Sequence, residues 1–277
     1  ENFRMKQKKQ LIWDLVNITS CGRRRQKSME QISDIRKRMR SVREIRQTTN
    51  AMHLVSTVKM KRARSQLSMT LPFFDLCRST MAKIYTQNPD INHSFFKLHK
   101  KKKGEAWVVG YFVLTGDKGF AGAYNLNVLT TAERHIQELM IDFAKRGINA
   151  RPKIFIAGRK GKDYFKNAGF DIVEEFSYPI DSPTFYRARD ISDFIHDLYD
   201  EEQIDTVYAI YTVMKSAVNI RPVTLKLIPI SAEDLMEGVH LEKYRQDIDI
   251  NSNVNLEFIP ASEKVMDYLA TTYLNGM

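Results

Sequence analysis

The sequence predicts an α/β protein in which a long helix precedes a sheet domain, and three observations lead to that reading. From Arg23 to Lys103 there is no glycine, and from Met29 to Leu71 no proline either, so 43 successive residues lack a strong helix breaker. After Glu105 the texture changes to short apolar runs alternating with amphipathic stretches, the pattern of strands exchanging with helices. The charge is also divided: residues 1–70 hold 18 Lys or Arg against 5 acids, whereas residues 71–277 hold 25 against 28. With 43% hydrophobic residues the chain has enough apolar surface for one substantial core or two modest ones, so disorder is excluded as its general condition.

In chain order, Arg4, Lys6, Lys8 and Lys9 precede the apolar run Leu11–Ile18, which ends in the lipobox-like Ile18-Thr19-Ser20-Cys21. Asp14 interrupts that run, so residues 1–28 are read as a loosely ordered extension upstream of Met29 rather than a signal sequence. Ser28-Met29-Glu30-Gln31 matches a capping box, in which the serine hydroxyl and Gln31 satisfy free backbone N–H groups, and it marks the expected helix start. A helix from there to Leu71 would reach about 65 Å. Ile32, Ile35, Met39, Val42, Ile45, Met52 and Val55 give it a narrow apolar seam, weakened where Thr49, Ser56 and Ala63 stand in place of leucines. The rest of its circumference is cationic. Pro72 marks an expected kink or restart before a second helical stretch, Phe73–Tyr85, and residues 29–88 together form the predicted shaft segment.

A polar connection, bounded by Asn88-Pro89-Asp90 and the Lys100–Lys103 run, leads to a domain over residues 105–277. Predicted there are a strand at Trp107–Thr115, a helix at Val128–Lys145, a strand at Lys153–Ala157, a short helix at Lys160–Ala168 and a strand at Ile172–Phe176. A helix at Ala188–Asp200 and strands at Thr206–Met214 and Val223–Ile230 follow, and after the polar stretch Asp247–Asn255 come Leu256–Ile259 and a helix at Ser262–Leu274. The alternation gives a Rossmann-like sheet with parallel pairs, and the short link between the last two strands gives an edge hairpin.

Several chemistries lack their residues. Gly116, Gly119 and Gly122 follow the first strand at GxxGxxG spacing instead of GxGxxG, and no GxxxxGK[ST] occurs, so a tight turn is the better reading than a phosphate cradle. The six histidines show no HExxH spacing, and Cys21 and Cys77 form no CxxC pair. No GxSxG elbow is present, and no catalytic, cofactor or metal residue is assigned. The longest apolar run, Trp107–Leu114, is far short of the ~20 residues needed to cross a bilayer as a helix, so no membrane insertion is expected. The basic helix alone would also fit a nucleic-acid-binding protein, and the glycine turn, less well, a dinucleotide-binding enzyme.

Ile32-Ser33-Asp34-Ile35-Arg36-Lys37-Arg38, then Asn50-Ala51-Met52 with Val58-Lys59-Met60-Lys61, then Thr115 to Asn125 occur in the order of three motifs of one family. On these the chain resembles the gamma subunit of bacterial F-type ATP synthases over Glu30–Met277, with Ala121 at the family's usual cysteine. The resemblance implies a central-stalk rotor that couples proton flow to ATP synthesis without a catalytic site of its own. It implies alpha, beta and epsilon subunits and the membrane c-ring as partners, no nucleic acid, and a peripheral position on the cytoplasmic face of the plasma membrane. Met52, Lys59, Lys61, Arg62, Lys118 and Phe120 would then face the alpha/beta hexamer, and Phe258 and Ile259 the membrane ring, although Ile259 replaces the family's acidic residue. Family members continue past Leu274-Asn275-Gly276 with another long helix that pairs with the first, so the sequence reads as a fragment of such a chain.

Overall fold

In the structure, a computed structural model, residues 2–88, 91, 93–102, 104–170, 172–176, 183–216, 219–231, 234–235, 259 and 261–276 are described, with side chains from residue 32 onward except those of 174 and 175. The chain divides into two compact units, residues 1–68 and 69–277. The first is wholly the early part of α1, Asn2–Gln87, an 86-residue helix that contains Pro72. The helix therefore does not begin at the Ser28 capping box, and Pro72 neither ends nor restarts it. A proline inside a helix removes one N–H donor and crowds one carbonyl, a local cost that the turns on either side can absorb.

The second unit is a three-layer sandwich around a five-stranded sheet of order β3-β2-β1-β4-β5. Its strands are β1 (Trp107–Leu114), β2 (Ala150–Ala157), β3 (Ile172–Phe176), β4 (Thr206–Met214) and β5 (Ile220–Ile228). β1 lies between β2 and β4, parallel to both, β2 pairs parallel with β3, and β5 closes the edge as an antiparallel hairpin with β4. The near-continuous apolar run of β1 fits its place at the centre, covered on both faces. β5 begins earlier than expected, at Ile220, and ends earlier because Pro229 has no N–H for the ladder; the next amide, that of Ile230, leaves the sheet and donates to the Phe95 carbonyl at 2.7 Å.

One face carries α2 (Tyr124–Lys145) and α3 (Arg159–Asn167), packed through Val128, Leu129, Ala132, Ile136 and Phe165 against Val109, Tyr111 and Val113. The other carries α4 (Phe185–Asp200), α5 (Ser262–Gly276), the last turns of α1 and a short 3-10 turn, Ser94–Phe96. There Met81, Ala82 and Ile84 join Phe95, Phe112, Phe155, Tyr199, Met266 and Ala270 in a single core. The odd and even residues of β1 feed the two cores alternately, as strand geometry requires.

Candidate interaction surfaces

In the first unit, every residue from 32 to 68 is exposed. Ile35, Met39, Val42, Ile45, Met52 and Val55 each keep more than half of their surface open to solvent, which a lone soluble helix gains nothing by exposing in a row. Thr48, Thr49 and Thr57 turn their hydroxyls back onto the carbonyls four residues earlier, at 3.0, 2.8 and 2.8 Å, so their methyls rather than their hydroxyls continue the surface. Lys59, Lys61 and Arg62 follow on the exposed helix, where Asp34 and Glu44 are the sole acids between residues 32 and 68. Such a surface suits an acidic, partly apolar partner.

In the second unit the glycine turn, residues 115–123, is pinned from below and open above. Thr115 is fully buried; its amide donates to Ala157 O at 2.8 Å and its hydroxyl accepts from the Gly161 amide at 2.9 Å. Asn125 in the first turn of α2 accepts from the Gly116 amide at 2.7 Å. Asp117 accepts from the Arg159 amide at 3.2 Å, and the Gly116 carbonyl from the Lys160 amide at 3.3 Å. The first amides of α3, which in a nucleotide-binding sheet would be free to receive an anion, are thus committed to this turn. Burial lifts the Tyr124 phenol, at the start of α2, above its ordinary range, with the Thr212 hydroxyl of β4 working the other way.

What the pinned turn exposes is Lys118 and Phe120. Phe120 is fully exposed and has φ of 59°, a left-handed conformation that costs an L-residue other than glycine about 1–2 kcal/mol. The turn holds an apolar ring in water at the expense of backbone strain, as expected where a partner covers it. Ile259 is 83% exposed, whereas Phe258 and the 247–255 stretch lie outside the described residues. Of the predicted surface residues, Met52, Lys59, Lys61 and Arg62 belong to the first unit, and Lys118, Phe120 and Ile259 to the second.

At the other end of the sheet lies a charged group that sequence reasoning passed over. Asp205, fully buried, receives His99 Nδ1 at 3.0 Å, Lys101 Nζ at 2.9 Å and the Val108 amide at 2.8 Å. His99 stacks on Tyr199 with ring centroids 4.2 Å apart, and the Tyr199 hydroxyl donates to the Lys97 carbonyl at 2.6 Å. The neighbouring cleft, lined by Lys101, Glu105, Arg151, Lys153 and Glu202, has two of its cations so occupied: Lys101 with Asp205 and Lys153 with the Gln203 carbonyl. The group fastens Lys97, His99 and Lys101 to the starts of β1 and β4. The lysine run and the lone Asp before a strand were its only traces in the sequence. Among the described residues no cluster of His, Cys, Asp and Glu could hold a metal ion, and no helix is long and apolar enough to cross a membrane.

Residues 31–277 match the family model described as ATP synthase. The chain is 34% identical to the ATP synthase gamma chain of Acetivibrio thermocellus, over 90% of its own length and 79% of that protein's. It is 33% identical to the gamma chain of Ruminiclostridium cellulolyticum, over 88% and 77%. Among solved structures it is similar to a chain of the Tetrahymena thermophila mitochondrial ATP synthase central stalk and c-ring. The TM-score there is 0.52 at 19% identity, covering 82% of this chain and 88% of that one, a likeness of fold.

Proposed function

The chain belongs to the ATP synthase gamma-chain family, and on that premise we propose that it is the central-stalk rotor subunit of an F-type, proton-transporting ATP synthase. It is a component of that complex, which is associated with a membrane, and itself lies at the periphery. The catalytic chemistry belongs to neighbouring beta subunits, and the rotor acts by presenting different faces to them in turn. A shaft biases a subunit's equilibrium only by contacting its alternative conformations with different energy. The observation that carries this reading is α1, whose residues 32–68 combine cations with an uncovered, interrupted apolar seam. A tight zipper would fix one partner, whereas a weak seam within a cationic surface permits successive contacts.

Residue by residue, Met52 is proposed to bear on a beta subunit, and Lys59, Lys61 and Arg62 to face acidic loops of the alpha/beta hexamer. Lys118 and Phe120 reach the same collar, which would cover the strained aromatic tip. Phe258 and Ile259 meet the membrane c-ring, and the epsilon subunit binds the α/β unit. In the proposed division, residues 29–88 are the shaft and residues 105–277 the body, with residues 2–28 the part of α1 that precedes the shaft. The whole is set on the cytoplasmic face of a bacterial plasma membrane. Neither a nucleic-acid-binding protein nor a dinucleotide enzyme gains support from the relatives.

The test is assembly. Combined with alpha and beta subunits of a related bacterium, the full chain is expected to yield an isolable complex whose ATP hydrolysis turns a probe attached to the α/β unit. Charge reversal of Lys59, Lys61 and Arg62 to glutamate should slow that rotation. A chain that forms no complex with the hexamer at micromolar concentrations would sink the reading.

A further inference from the structure

The stretch of α1 that lies in the second unit is held by two kinds of contact that do different mechanical work. Cys77, Met81, Ala82 and Ile84 are buried, and their packing resists withdrawal of the helix. Apolar contact is non-directional, however, and opposes a small turn of the helix about its own axis only weakly. The polar residues of the same turns are directional. Arg78 Nη1 donates to the Leu235 carbonyl at 2.8 Å, across 157 residues of sequence, and Nη2 lies 3.6 Å from Oδ1 of the buried Asp75. On the neighbouring side, Gly276 at the end of α5 sits so tightly on the Phe74 ring that a Cβ there would overlap it. The Tyr273 phenol of α5 feels both Arg78 and Asp75, and burial raises the Asp75 carboxyl against the opposing pull of Arg78.

This cluster, with Asp75 buried and Arg78 half-buried, is poorly satisfied. Asp75 Oδ1, Arg78 Nε and Asn275 Oδ1 are buried without a hydrogen-bond partner. Such a group adds little to stability, and apolar residues of similar volume can replace it at small cost. What it adds is orientation: turning α1 about its axis draws Arg78 away from the Leu235 carbonyl and strands two charges in a dry site. Resting on the rotor reading, we propose that Asp75 and Arg78 are positioning residues that key the rotational register of α1 into the α/β unit, so that torque on the unit enters the helix without slip.

The experiment uses the synthase assembled with the full chain in membrane vesicles. It reads ATP-driven proton pumping per ATP hydrolysed, with thermal unfolding of the purified chain alongside. The double variant Asp75→Leu with Arg78→Leu is expected to hydrolyse ATP and to melt as the parent does, yet to pump severalfold fewer protons per ATP. Arg78→Lys, which keeps the charge and loses the planar fork, is expected to fall between. A double variant that pumps at the parental ratio overturns the key while the rotor reading stands. Should the double variant not fold, parental pumping by Arg78→Lys overturns it equally. A parent chain that supports no pumping at all removes both readings together.

Discussion

At Gly158, between β2 and α3, φ is 101°, and a Cβ would run into the Thr115 carbonyl. The position is thus closed to other residues twice over, by backbone conformation and by the close approach of the two strand ends. Gly158→Ala is expected to lower the unfolding free energy in urea by on the order of 3 kcal/mol, the left-handed penalty plus the displacement of Thr115. Because Thr115 anchors the glycine turn, the same variant should loosen Phe120 and weaken association with alpha and beta beyond what its lower stability explains. Unchanged binding in the folded fraction would separate the two. At this scale the sequence was partly legible. The GxxGxxG spacing suggested a turn, and the structure has one there, but the bonds that hold it come from Arg159, Lys160 and Gly161, some 40 residues downstream, which no local pattern exposes. Asp205 was hidden in the same way, since its partners His99 and Lys101 lie about 100 residues upstream.

Among the elements, β1 and β4 were the most legible, because they are apolar runs ended by polar residues, whereas β2 begins at Ala150, before the expected Lys153, because Ala150-Arg151-Pro152 carries no apolar run. α1 was legible in kind but not in extent. A capping box is a permissive start signal that a helix can run through, and cooperativity favours extension once a long segment has formed. Pro72 is the other instance, since it is exposed and flanked by helix on both sides. With no N–H at residue 72, the Ser68 carbonyl loses its usual partner, and the division between the two units falls at that residue. Pro72→Ala should restore the bond. The gain is expected to be about 2 kcal/mol, a ~3 kcal/mol helix penalty removed less up to ~1 kcal/mol for the freer unfolded chain. Slower amide exchange over residues 68–75 and a higher urea midpoint are the expected signs, and unchanged exchange there would show that the neighbouring turns already compensate.

For the molecule as a whole, acid is the condition that reaches both faces of the sandwich. Burial pulls the His93 imidazole below its ordinary value of 6.5, against the favourable pull of Asp267 at 3.2 Å and of Asp200 and with the added opposition of His196. On the other face burial likewise lowers His135, which packs on the Tyr208 ring at 4.7 Å, with Glu138 and Arg134 acting in opposite senses. Both imidazoles are therefore harder to protonate in the folded chain than in the unfolded one. Their contribution to stability is complete above pH 6.5 and is lost as pH falls from there through the folded-state values. Asp75, raised by burial, has the opposite sign, because the folded chain takes up its proton more readily. At constant ionic strength the melting temperature should hold steady from about pH 8 to 7 and decline from about pH 6.5 to 5.5, the span set by unperturbed imidazole. Replacing His93 and His135 with glutamine should flatten that decline, each substitution removing the part due to its own face. A double variant that still melts earlier in acid to the same degree would assign the effect to the carboxylates and leave the two imidazoles without a part in it.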